Sequence, residues 1–409
     1  MRLVPEALSI MVTGMNALLL PSRSWTGPAT RRRFLGSLAG FSLAGLAVVR
    51  GVRAGEPGAR ERFVPLFNGR DLTGWVPVNV APNTFTVRDG MIVSTGVPTG
   101  VMRTVRQYSN FILELDWKHI HKDGNAGLFV YSEPISAPGV PFAKAIEVQI
   151  LDGDSPEGIW TGQGDVFAIH GAHMVPDRPH PRGWERCLPD ERRAHPAGEW
   201  NHYRVESRDG RLTLAVNGRV VSGASQCNPR QGYICLESEG SECHFKNIRI
   251  MELPSSKVPV KERASKDVGF KSLYTGIDLA GWKAEKGHEG HWVAKDWTLS
   301  CDGQGTRELW RQGKWHDFEL ICDWRMEKTG GLAGILFRGD PASEVLLARD
   351  SADWHRTVVR VVGKKLRVET HGKTTATLQR DLAKSSSGPV GLKHHGAPVE
   401  FASLYIRKL

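Results

Sequence analysis

A carboxylate and a carboxamide stand two residues apart in Ala145-Ile-Glu-Val-Gln-Ile150. Their alternation with Ile146, Val148 and Ile150 marks a strand whose Glu147 and Gln149 project from one face while the apolar side chains enter a core. A carboxylate on a rigid strand can take or give a proton, and an amide beside it can hold an oxyanion. The same pattern also describes an ordinary solvent-facing strand. Asn125, just past the turn Asp123-Gly-Asn125, is a second candidate, and an extended continuation would place Gly127, Phe129 and Tyr131 on its face. Glycine there admits a close ligand and the carboxamide both donates and accepts; the plain alternative is a turn asparagine. A third source is the stretch 152–197, which holds Trp160, Asp165, His170, His173, Asp177, His180, Trp184 and His195. These side chains suit acid–base and stacking roles. With Gly162-Gln-Gly-Asp165 and its prolines the stretch reads either as a functional loop over a sheet face or as a disordered insertion. His119 and His121 share a strand face, a spacing compatible with a divalent metal near Glu147 and equally with two surface histidines.

Strands must position these groups. Phe85-Thr-Val-Arg88, Phe111-Ile-Leu-Glu-Leu-Asp-Trp117, Tyr203-Arg-Val-Glu206, Leu212-Thr-Leu-Ala-Val216 and Phe245-Lys-Asn-Ile-Arg-Ile250 are short, alternating and rich in β-branched or aromatic residues. Turn signals such as Arg208-Asp-Gly210 and Asn217-Gly218 separate them, and no segment carries a helical stripe. The expectation is an all-β chain of two-sheet sandwiches of jelly-roll type.

The chain also repeats itself. Leu66-Phe-Asn-Gly-Arg-Asp-Leu-Thr-Gly-Trp75 returns as Leu273-Tyr-Thr-Gly-Ile-Asp-Leu-Ala-Gly-Trp282, 207 positions on, and that shift holds to Gly127/Gly334. Near the end Gly232/Gly388, Phe245/Phe401 and Leu253/Leu409 match at a shift of 156, so the second copy lacks most of 152–197. It carries Leu332 for Asn125, Leu346 for Gln149 and His355 for Asn201. Chemistry therefore belongs to the first copy, over residues 63–253, and the second, over 270–409, is degenerate. Residues 254–269 between them are polar and proline-bearing, as linkers are. Trp75 and Trp282 are expected as core anchors.

Ahead of both copies, Thr30-Arg-Arg-Arg-Phe-Leu-Gly36 and the apolar run Ser37 to Val49 form a twin-arginine export pattern over residues 1–54, with Val52-x-Ala54 as a cleavage site. The alternative is a membrane anchor, for which the run falls short of the roughly 20 residues a span needs. The exported chain is expected in the periplasm or outside the cell. Seven Arg and one Glu precede Gly55, so the formal +10 falls to near +4 and implies no nucleic-acid partner. Export permits disulfides: Cys235 and Cys243 are expected across a hairpin, Cys301 and Cys322 on neighbouring strands.

Phe67-Asn-Gly-Arg-Asp-Leu-Thr-Gly-Trp75, Asp123-Gly-Asn-Ala-Gly127, Glu147-Val-Gln-Ile-Leu-Asp152, Gly198-Glu-Trp-Asn201 and Phe245-Lys-Asn-Ile-Arg249 together resemble the 3-keto-disaccharide hydrolase domain family. The resemblance covers residues 63–253 and, more weakly, 270–409. It implies a concanavalin-lectin-like jelly roll, usually exported, acting on 3-keto sugars. The implied chemistry is removal of the C2 proton, elimination of the glycosidic oxygen from C1 and later addition of water. Glu147 or His170 would be the base, with Asn125, Gln149, Tyr131, Asp165 and Trp160 around the sugar. Tyr131 stands where the family usually has Arg, which the second copy keeps as Arg338. The sequence requires no cofactor and is compatible with a divalent metal. A separate oxidoreductase is expected to make the 3-keto substrate, since no dinucleotide-binding Gly-x-Gly-x-x-Gly follows a strand here. A non-catalytic glycan-binding protein on the same fold is the alternative.

Overall fold

The computed structural model describes residues 62–153, 162–283, 286–327, 330–348, 352–379 and 385–409. The export segment and Trp160 lie outside these residues. Strands and turns make up what is described, and the one helical element is a 3-10 turn, Val260–Glu262. Among the described residues no helix is long and apolar enough to cross a membrane.

The fold is all-β, with two antiparallel sheets in each copy. In the first copy Phe111–His119 is central to a nine-stranded sheet, flanked by Asn201–Arg208 and Cys243–Glu252. Facing it is a seven-stranded sheet in the order Arg186–Cys187, Val166–Ile169, Ala145–Leu151, Asn125–Ser132, Tyr233–Ser238, Gly100–Thr104, Trp75–Val78. Alternation fills the space between: Leu113, Leu115 and Trp117 from one sheet meet Leu128, Val148, Ile150 and Leu236 from the other, all at most 1% exposed. The second copy repeats this with an eight-stranded and a five-stranded sheet and a separate core around Trp324, Phe401 and Ile335. Trp75 and Trp282 anchor their copies alike, each indole donating to a backbone carbonyl, of Leu66 and Leu273 respectively.

Two local expectations change. Cys235 and Cys243 lie in opposite sheets rather than across a hairpin, and Cys301 and Cys322 are separated by the strand Val399–Lys408; all six cysteines are buried free thiols. The polar segment 254–269, read as the linker, packs along the first copy. Arg230 pairs with Glu262 at 2.6 Å, Ala264 donates to the Gln231 carbonyl, and buried Arg103 reaches Asp267 at 2.7 Å.

The copies dock through outer sheet faces. Val78, Val101, Phe129, Ala145 and Cys235 of the seven-stranded sheet meet Ile321 and Tyr405 of the second copy's eight-stranded sheet, with Val358 packed alongside. Asp323, fully buried, accepts the Gly139 amide at 2.9 Å and is held by Arg356, which also donates to the Ser136 carbonyl. In the first copy the row matching Val358, Ile321 and Tyr405 is Arg204, Glu114 and Arg249, an ion-paired triplet at 2.5 and 2.6 Å.

Candidate active site

Three successive rungs of the seven-stranded sheet carry the polar groups on its outer face. The first runs Arg186, Phe167, Glu147, Phe129, Cys235; the second sets Gln149 opposite Gly127 and Glu237 opposite Val101; the third brings Asn125 opposite Glu239. Directly paired residues share a face, so Glu147, Gln149, Asn125, Glu237 and Glu239 converge. Asp165 joins them from the long insertion, its carbonyl accepting the Gln149 amide at 3.0 Å and its Oδ2 accepting from Arg186 Nε at 2.6 Å. Gly127 has a spatial reason: a Cβ there would lie 2.7 Å from Glu237 Oε2 and 2.9 Å from Glu147 Oε1. The two carboxylates thus close over bare backbone.

Burial dominates the electrostatics. Glu147 is 6% and Glu237 1% exposed, and desolvation, reinforced by the nearby Glu239 charge, holds both carboxyls well above the usual range. Glu239 is raised to about 7 by burial and by Asp296 of the second copy, and Asp165 to about 6 by burial, with Arg186 pulling the other way. Glu239 accepts a hydrogen bond from Asn125, whose Oδ1 accepts from Gln149 at 3.1 Å. Glu237 Oε2, Gln149 Oε1, Asp165 Oδ1 and Arg186 Nη2 are buried without a partner among the described residues. Orphaned polar atoms are rare and costly in folded proteins, and here four gather on one sheet face. Neighbouring carboxyls of raised proton affinity, beside an amide and a guanidinium with a spare donor, can exchange protons with a ligand and hold an oxyanion.

Glu147, Gln149, Asn125 and Asp165 are therefore together, whereas two expected partners are elsewhere. Tyr131 is fully buried in the core, its ring edge on Phe111 and its hydroxyl on Ser207. A bulge opposite Tyr233 and Cys235, with φ +58 at Tyr131, breaks the alternation and turns the side chain inward. His170 is an exposed turn residue beyond the far end of Val166–Ile169, stacked on Phe142 and lining a separate cavity of about 420 Å3 with Lys144 and Phe270. Elsewhere in the described part of the insertion His173 pairs with Glu185, Asp177 with Arg211, and His180 stacks on Trp184. His119 packs on Trp117 with Nε2 at the Ile150 carbonyl. No group of three or more His, Cys, Asp or Glu among the described residues is placed to hold a metal.

Glu237, Glu239 and Arg186 were not among the expected site residues. The signal for the first two lies in the 156-position shift, which aligns them with Lys393 and His395. The second copy shows the result. Glu344, opposite Leu336 as Glu147 is opposite Phe129, keeps its acid, but Lys393 pairs with it at 3.2 Å and His395 Nε2 lies 2.6 Å from it. Leu332 and Leu346 replace the two amides. The first copy retains a costly set of like charges that the second has resolved into ion pairs.

A family model described as a 3-keto-alpha-glucoside-1,2-lyase-like domain matches residues 62–251 and 269–349. Two solved structures of candidate glycosyl hydrolases from Parabacteroides distasonis are similar to the chain. The first is 25% identical, spanning 47% of this chain and 94% of that one with a TM-score of 0.36. The second is 22% identical over 47% and 100%, with a TM-score of 0.34. A carbohydrate-binding module of Bacillus subtilis, CBM66, is 15% identical over 44% and 96%, with a TM-score of 0.31. No curated protein matches.

Proposed function

We propose, for a chain that belongs to the 3-keto-alpha-glucoside-1,2-lyase-like domain family, that the first sandwich cleaves 3-keto glycosides by elimination. The observation that carries this reading is the trio Glu147, Glu237 and Glu239 closing on Gly127 and Asn125 with proton affinities raised by burial and mutual repulsion. Neighbouring carboxyls that cannot all ionise supply a base and an acid at one pH.

In the reacting protonation state of the coupled trio the negative charge sits on Glu147 and a proton on Glu239, and Glu147 takes the proton on C2, which the C3 ketone acidifies. The electron pair forms the C2–C3 enolate, with its charge on the ketone oxygen, where Arg186 Nη2 and the Gln149 amide are the available donors. Collapse of the enolate restores the ketone, forms the C1–C2 double bond and breaks the bond from C1 to the glycosidic oxygen. That oxygen takes a proton from Glu239, the partly exposed member of the trio, and the alcohol leaves. Water adding across the double bond completes a net hydrolysis. No cofactor enters this scheme. The twin-arginine segment supports an exported enzyme, and a separate oxidoreductase would supply the ketone. A module that only binds glycan would gain nothing from unpaired buried carboxyls, so the lectin reading is the weaker one.

The test is release of free alcohol from a 3-keto glucoside by the purified chain and by Glu147→Gln. Loss of a positioned base lowers the rate by about 10²–10⁴-fold, and that is the expected result. Equal rates in the two proteins would overturn the assignment of Glu147, and no turnover of any 3-keto glycoside would overturn the function.

A further inference from the structure

The second copy has lost the acidic trio, yet one of its carboxylates sits at the trio's border. Asp296 occupies a turn at φ +51, the position and conformation of Asp89 in the first copy. Asp89 stands on an exposed turn, whereas Asp296 reaches across to the first sandwich. Its Oδ1 accepts the Thr99 amide and its Oδ2 the Thr99 hydroxyl, both at 2.7 Å. Its own turn is fixed by the Tyr274 hydroxyl, which donates to the Asp296 and Thr298 carbonyls at 3.1 and 2.7 Å.

The Gly96–Thr99 segment that Asp296 grips is the backing of the turn that carries Glu239. The Gly96 carbonyl accepts the Gly240 amide at 2.7 Å, and the Pro98 carbonyl accepts the Ser238 hydroxyl at 2.9 Å. These bonds fall on the residues either side of Glu239. Gly276 of the second copy presses on the Pro98 ring, where a Cβ would come to 2.5 Å. The segment is therefore clamped between the second sandwich and the turn that presents Glu239.

We propose that the second sandwich is a working wall of the first sandwich's site, with Asp296 a positioning residue that fixes the segment behind Glu239 and supplies the charge Glu239 meets there. This deepens the function proposed above and rests on it. The charged groups that face Glu239 are Glu237 on its own strand, Glu147 across the sheet and Asp296; Asn125 is its donor. Glu147 and Glu237 belong to the acidic trio itself, so among the described residues Asp296 is the neighbour left to tune it. A negative charge at that border favours the protonated carboxyl, which agrees with the raised proton affinity of Glu239. A degenerate copy kept in this position would hold the acid ready while taking no part in bond breaking.

The experiment compares full-length wild type with Asp296→Asn, which removes the charge but can still accept from the Thr99 amide, and with Thr99→Val, which removes one bond of the clamp. Glu344→Gln, in the second copy's neutralised cluster, is the control. Asp296→Asn is expected to move the alkaline limb of kcat down by about half a pH unit or more. Thr99→Val is expected to lower kcat several-fold with the limb in place, and Glu344→Gln to match wild type. Carbon-13 titration of labelled glutamates, with the Glu239 signal assigned through Glu239→Gln, reads the same shift without turnover. An unmoved Glu239 midpoint in Asp296→Asn would overturn the proposal. A moved midpoint in a protein that turns over no 3-keto glycoside would uphold the wall and sink the function.

Discussion

At Glu237 the cost of the site is concentrated. It is buried, its Oε2 has no partner among the described residues, and its neighbours are acids. Carboxyls whose folded proton affinity is raised keep their proton in the native state after the unfolded chain has released it. Their contribution to stability is therefore fully present below the unfolded value and is lost as pH rises through the folded one, here about 6 for Asp165 and about 7 for Glu239. The melting temperature of the wild type is expected to fall between about pH 5 and about pH 8. Glu237→Gln removes one of the repelling charges, so its melting curve should decline less over that range while turnover drops. A steeper decline in the variant would contradict the assignment of Glu237 as a repelled, proton-holding acid. At this scale strand alternation and the family motifs brought Glu147, Gln149 and Asn125 to notice, and comparison of the two copies brought Asp165. Alternation misplaced Tyr131, because a bulge has no strong sequence mark, and it passed over Glu237-Ser-Glu239, which reads as an unremarkable strand end until set against Lys393 and His395.

Strands determine where these side chains can go. The strand Asn125–Ser132 must be bare at Gly127 for two carboxylates to approach from its neighbours, and the glycine has no other constraint, since its φ is not in the left-handed region. Gly127→Ala should therefore leave the fold intact, with circular dichroism unchanged, because only the ends of flexible side chains and the Phe129 ring must yield. Displacement of both carboxylates is expected to cut kcat by at least about tenfold, as small misplacements of catalytic groups do. Wild-type turnover would show that the carboxylates act from elsewhere. The sheets themselves were legible: alternation, turn residues and the internal repeat gave an all-β chain of paired sheets. The insertion was less so. Its short strands Val166–Ile169, His173–Pro176 and Arg186–Cys187 extend the edges of both sheets, and such edge pieces are too brief to carry a period.

For the molecule as a whole, the docked faces are expected to couple the two sandwiches in unfolding. Ile321 is 6% exposed within the apolar contact between them, and a charge there would be buried unpaired. Ile321→Asp is expected to replace a single calorimetric transition by two, one for each separate core; a single wild-type-like transition would mean that the contact contributes little. The row that makes this contact, Val358, Ile321 and Tyr405, has as its counterpart in the first copy Arg204, Glu114 and Arg249. A head-to-tail contact has no symmetry to close it, so a jelly roll that offered the apolar row on every copy would invite a further chain to add, and then another, into a fibre. The first copy carries an ion-paired row in that place and so offers no matching apolar face for such a series.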